Sequence, residues 1–147
     1  MAQPPVVFGA DQIREFIAEH FPQAARFPHR IDLVEPGRVV LRWLYTDKGL
    51  RPGGTISGPT QFTLADTAMF YLVLAHVGPA GLSVTTDANL HFLRKPKPAD
   101  LLCDARVVKL GKHLVVGEMK LFSEGEDEPV TIATMTYSLP PGARRAP

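Results

Sequence analysis

Apolar residues recur at helical spacing at Ile13, Phe16, Ile17 and Phe21, which predicts a helix over Asp11–Phe21 with one buried face. Asp11 suits the N-cap, and Pro22 stops the run. Two strand-like runs follow, Arg30–Val34 and Arg38–Tyr45, joined by the turn triplet Glu35-Pro36-Gly37 into a predicted hairpin. Residues 46–58 hold Gly49, Pro52, Gly53, Gly54 and Gly58 and read as loop. Pro59–Val77 then has no internal Gly or Pro and is apolar nearly all round from Ala68 to Ala75. A helix of that kind belongs in the middle of a protein, wrapped by other elements, and Gly78, Pro79 and Gly81 end it. The rest reads as four strands, Ser83–Leu93, Leu101–Leu110, His113–Ser123 and Val130–Leu139.

Helix, hairpin, long apolar helix and four strands predict an α+β fold. The compact solution is one antiparallel sheet around the central helix, with the N-terminal helix beside it; that arrangement is the hotdog fold. At 147 residues the chain suits one domain over 1–147, with an ordered core at 8–139 and a loose tail at 140–147. Lys plus Arg number 16 against 15 for Asp plus Glu, and the net charge of +1 argues against a nucleic-acid partner. The lone Cys103 cannot form an intramolecular disulfide. The N-terminus lacks a basic segment followed by an apolar stretch, and the run Ala68–Ala75 is far short of the ~20 residues a membrane helix needs. A cytoplasmic protein with no membrane partner is the expectation.

Asp66 does not fit the helix that carries it. A carboxylate there costs several kcal/mol unless it is paired or reaches water, yet no Lys or Arg lies between Arg51 and Arg94. Thr63 and Thr67 can donate hydrogen bonds without neutralising it. A partly desolvated carboxylate without a cation suits a general base or a nucleophile. At the start of the helix, by Gly58, unsatisfied backbone N–H groups could stabilise an oxyanion. Gly58 and Asp66 are eight residues apart, about 12 Å along a helix at roughly 1.5 Å per residue. A reacting carbon cannot sit within about 3 Å of both. If both act on one substrate they come from different chains, which predicts a dimer.

Phe62-Thr63-Leu64-Ala65-Asp66-Thr67-Ala68, followed by Tyr71, resembles the helix motif of the phenylacetic-acid-degradation (PaaI-like) acyl-CoA thioesterases of the hotdog superfamily. Asn89-Leu90-His91-Phe92-Leu93-Arg94-Lys95-Pro96 is similar to the family's next strand, and Gly111-Lys112 to its hairpin. The resemblance spans roughly 51–139. It implies that Asp66 attacks the thioester or activates water, that Gly58 gives a backbone N–H to the thioester carbonyl, and that Thr85 helps to position the water. Two positions depart from the family: Ser57-Gly58-Pro59 replaces its usual His-Gly-Gly, and Arg51 stands where Asn is common. Pro59 has no N–H to give, whereas Arg51 could grip a phosphate or an acyl carboxylate.

The remaining chemistry is ordinary. His20, His29, His76, His91 and His113 show no metal spacing, no Gly-x-Ser-x-Gly elbow is present, and His76 reads as a core or helix-end residue. Trp43 and Tyr45 read as packing. Arg94, Lys95 and Lys97, or Lys109, Lys112 and His113, could meet the phosphates of coenzyme A, and Met69, Phe70 and Val73 could bound an acyl pocket. The expected function is hydrolysis of an acyl-CoA without metal or redox cofactor by a homodimer, with pairing of two dimers left open. Asp66, Gly58, Thr85 and Ser57 would be catalytic or positioning groups. Arg51, Asn89, Arg94, Lys95, Lys112 and Met69 would bind substrate. A non-catalytic acyl-CoA or fatty-acid binding module is the alternative, and a hydratase ranks last because no histidine lies near Asp66.

Overall fold

In the computed structural model, which describes residues 2–143, the long apolar segment forms helix α2 (Gly58–Val77). Ser57 caps it through a hydrogen bond from the Thr60 N–H, and Pro59 occupies its first turn, where a missing N–H costs nothing. Helix α1 (Ala10–His20) precedes it in sequence and buries Ile13, with Phe16 and Ile17 half-buried on the same face. Its N-cap is Gly9 rather than the expected Asp11. Asp11 lies in the first turn, where the helix dipole favours a carboxylate, and pairs with Arg14. Pro22 ends α1 as expected, but the chain continues in a 3-10 turn over Pro22–Arg26.

The six strands are β1 (His29–Glu35), β2 (Arg38–Trp43), β3 (Val84–Phe92), β4 (Leu101–Leu110), β5 (Leu114–Ser123) and β6 (Thr131–Ser138). They form one antiparallel sheet in the order β1-β2-β4-β5-β6-β3. Alternate residues face α2 and are buried: Val39, Leu41 and Trp43 on β2, Leu101, Cys103 and Ala105 on β4, Val115, Met119 and Leu121 on β5, Met135 and Tyr137 on β6. This is the hotdog arrangement, and its strands match the predicted runs to within two residues. The packing roles expected of Trp43 and His76 hold. Trp43 is core, and His76 is buried near the end of α2, where its Nε2 accepts the Gly37 N–H of the β1–β2 turn. Residues 140–143 form only a turn, and the rest of the expected tail, 144–147, lies outside the described residues.

One expectation needs correction. The sheet does not wrap α2 on all sides: Pro59, Phe62 and Thr63 are exposed, and Asp66, Thr67 and Phe70 are only half-buried. The uncovered stripe lies beside β3, which pairs only with β6 and keeps its other edge free. On and beside that edge, Val84 is 57% and Phe92 55% exposed. Among the described residues, no helix is long and apolar enough to cross a membrane.

Candidate active site

Asp66 sits on the uncovered stripe, held by hydroxyls. The Thr85 Oγ1 donates to Asp66 Oδ1 at 2.6 Å and the Tyr137 hydroxyl donates to the same oxygen at 2.9 Å. The Tyr137 hydroxyl also lies 3.0 Å from the Asp66 backbone carbonyl. Sheet register explains the convergence, because Thr85 and Tyr137 are cross-strand partners and both face the helix. A bulge between Thr85 and Asp87 keeps Thr85 on that face while Ala88 and Leu90 also point inward. Phe70, one turn beyond Asp66, stacks on the Tyr137 ring with centroids 6.2 Å apart and planes at 21°. Burial, with the charge and hydrogen bond of Asp66, pushes the Tyr137 phenol well above its ordinary range against a smaller opposing effect of Thr85. Tyr137 is therefore a donor at any working pH.

Among the described residues, every hydrogen bond to the carboxylate lands on Oδ1, which leaves Oδ2 open. Asp66 borders a cavity of about 360 Å³, shared with Ile17 and Phe21 of the N-terminal segment, Phe70 and Tyr71 of α2, and Ser83 and Val84. A carboxylate with one oxygen held by hydroxyls and the other without a hydrogen bond can attack a carbonyl carbon or take a proton from water.

The start of α2 supplies one free donor. Thr60 Oγ1 donates to the Gly49 carbonyl at 2.8 Å, so the Ser57 hydroxyl donates to Thr60 Oγ1 at 2.7 Å while accepting the Thr60 N–H. The Gln61 N–H bonds the Ser57 carbonyl, and Pro59 has no N–H. Among the described residues, that leaves the Gly58 N–H as the unpaired donor of the first turn. It opens into a second cavity of about 440 Å³, lined by Arg51, Phe92, Arg94 and Lys95 among others. Ser57, expected beside the reacting groups, has its hydroxyl fully engaged in the cap.

The expected site residues thus divide. Asp66 and Thr85 meet in one cavity, whereas Gly58, Arg51, Arg94 and Lys95 share the other. Arg94 is tied to Glu128 and to the Pro129 carbonyl. Asn89 faces away from α2, in a cavity with His91, Glu118 and Lys120 on the outer side of the sheet. Lys112 lies in the β4–β5 hairpin, near the C-terminal end of α2, because the neighbouring Leu110 borders the cavity lined by His76 and Val77. Met69 is fully buried and packs on Gly117, where a Cβ would come within 2.5 Å of its sulfur. Of the three residues expected to bound an acyl pocket, Phe70 lines the cavity beside Asp66, whereas Val73, like Met69, is fully buried. Tyr137 was missed as a site residue, although its inward position on a strand was legible; pairing it with Asp66 required the strand order.

The antiparallel sheet packed on one long helix defines a protein of the hotdog fold. The chain belongs to the thioesterase superfamily, whose general chemistry is thioester hydrolysis; residues 53–130 match the profile of that family. A protein of Silicibacter sp. TM1040, described as a candidate thioesterase, has a similar structure at 47% identity, with 92% of this chain and 94% of that one covered and a TM-score of 0.84. A thioesterase family protein of Silicibacter pomeroyi aligns at 26% identity over 88% of this chain and 97% of that one, with a TM-score of 0.77. Zebra fish thioesterase superfamily member 2 shares the fold at 21% identity, covering 90% and 99%, with a TM-score of 0.77. No curated protein sequence shows a significant match to the chain.

Proposed function

We propose that this chain is a PaaI-like acyl-CoA thioesterase of the cytoplasm, one domain over 1–147 with its ordered core at 8–139, working as a homodimer or a pair of dimers. The observation that carries this reading is the placement of an open carboxylate and an unpaired Gly58 N–H on one uncovered face of α2, about 12 Å apart on a helix rising roughly 1.5 Å per residue. Helix α2 runs against β3, with Gly58 near Phe92 and Asp66 near Thr85. A two-fold axis through the middle of β3, near Asn89, pairs the free edge with its own copy. The Thr85 end of one strand then meets the Phe92 end of the other, and Asp66 faces Gly58 of the partner subunit. The same pairing covers Phe62, Val84 and Phe92.

In this dimer the thioester carbonyl accepts the N–H of the partner's Gly58, and the acyl group enters the cavity beside Phe70 and Phe21. Asp66 Oδ2 takes a proton from water as the water oxygen bonds to the carbonyl carbon. The oxyanion is held by that N–H; on its collapse the C–S bond breaks and the thiolate of coenzyme A takes up the proton. Direct attack by Asp66 Oδ2, with the resulting anhydride hydrolysed in a second step, uses the same geometry. Arg51 and Lys95, exposed beside Gly58, are placed to meet the phosphates of coenzyme A.

The test is thiol release from short, medium, long and aromatic acyl-CoAs by wild type and Asp66→Asn. Release that disappears in the variant while the dimer persists supports the reading. A second reading, an acyl-CoA binding module, is favoured by the engaged Ser57 hydroxyl and by Pro59, which leave the helix start a single donor. Binding of acyl-CoA without turnover by wild type would establish it.

A further inference from the structure

We infer that Tyr137 is a positioning residue for hydrolysis, a role that rests on the reading of Asp66 as the reacting carboxylate. Its hydroxyl and that of Thr85 both donate to Oδ1, at 2.9 and 2.6 Å, so the carboxylate is pinned in one rotation with Oδ2 left without a hydrogen bond. The two donors differ in kind. Thr85 stands on the free edge strand and is exposed, whereas Tyr137 is only 4% exposed and sits on β6, inside the sheet. Its ring is clamped by Phe70, and its hydroxyl also contacts the Asp66 backbone carbonyl. Tyr137 thereby ties both the side chain and the main chain of Asp66 to the sheet. Two hydroxyls hold the carboxylate in place without cancelling its charge, which an Arg or Lys would do. Thr85 remains free to exchange its bond for one to water as substrate enters, because Tyr137 keeps the geometry.

Tyr137→Phe keeps the ring and its stack on Phe70 and deletes only the donor. The expected result is a kcat lower by roughly ten- to a hundredfold, the scale of one hydrogen bond to a charged group. KM changes by less than about threefold, because a group that acts in the chemical step need not contribute to binding. A purely structural tyrosine would not give that split between kcat and KM. Fluorotyrosine at 137, which keeps the ring and an O–H donor, leaves kcat within about threefold of wild type even if the Phe variant folds poorly. Equal kcat and KM for wild type and Tyr137→Phe, with the oligomer mass unchanged, overturn the inference alone. A wild type inert on every thioester overturns the hydrolase reading and this inference with it.

Discussion

A carboxylate in a half-buried helix position is usually neutralised by a cation; Asp66 is held by two hydroxyl donors instead, and its charge is left for chemistry. Asp66→Asn keeps the shape and removes the proposed base, so thiol release is expected to fall by on the order of a hundred- to ten-thousandfold with thermal stability and oligomer mass retained. An unchanged rate would move the chemistry elsewhere. The Cys103 thiol is fully buried and pushed far above its ordinary range by that burial, with Asp104 adding to it. It is therefore silent towards thiol reagents in the native protein. His76 has a different task. Because the Gly37 N–H can only donate, Nε2 accepts it, and Nδ1 carries the proton that goes to the Leu72 carbonyl. Burial lowers the pKa of His76 despite that second bond. The neutral ring contributes stability that is complete above the unfolded value of about 6.5 and is lost as pH falls through the lower native value. The fall in melting temperature between pH 7 and 5 is therefore expected to be shallower in His76→Gln; an identical slope would assign it to other groups.

At the scale of elements, the loop before α2 and the helix itself both meet the sheet at close approaches that glycine permits. A Cβ on Gly49 would stand 2.2 Å from the Trp43 ring, and one on Gly117 would stand 2.5 Å from the Met69 sulfur. The indole is rigid and 1% exposed, whereas the thioether can swing aside. Gly49→Ala is expected to cost about 1–3 kcal/mol and Gly117→Ala less, as denaturant midpoints will show; the reverse order would mean that the helix shifts instead. The strands and both helices were legible because their apolar periods are strong, with Leu101, Cys103 and Ala105 alternating along β4 and Ile13, Phe16 and Ile17 along α1. The 3-10 turn after Pro22 and the bulge at Thr86 carry no periodicity, so they were not legible. Asp66 was readable as an apolar-helix anomaly and Thr85 through the family resemblance. Tyr137 was not, because its contact joins positions 71 residues apart. Alternation beyond the bulge turns Asn89 to the outer face of β3, a placement that needs the bulge and is not readable from the strand pattern.

The whole molecule has one face where sheet and helix are both unfinished, along β3 and the Phe62–Asp66 stripe. Asp66 and Gly58 lie towards its opposite ends, and in the proposed dimer each active site is built from two subunits. Mixing two inactive variants tests it most directly. Asp66→Asn lacks the carboxylate, and Gly58→Pro lacks the backbone donor while Ser57, at φ −72° and ψ 155°, already has the extended conformation that precedes proline. In a mixed dimer one site inherits both defects and the other inherits neither. After subunit exchange at equal concentration, half the dimers are mixed, and thiol release is expected to recover to about a quarter of the wild-type rate. No recovery, with mixed dimers confirmed by native mass measurement, would contradict a shared site.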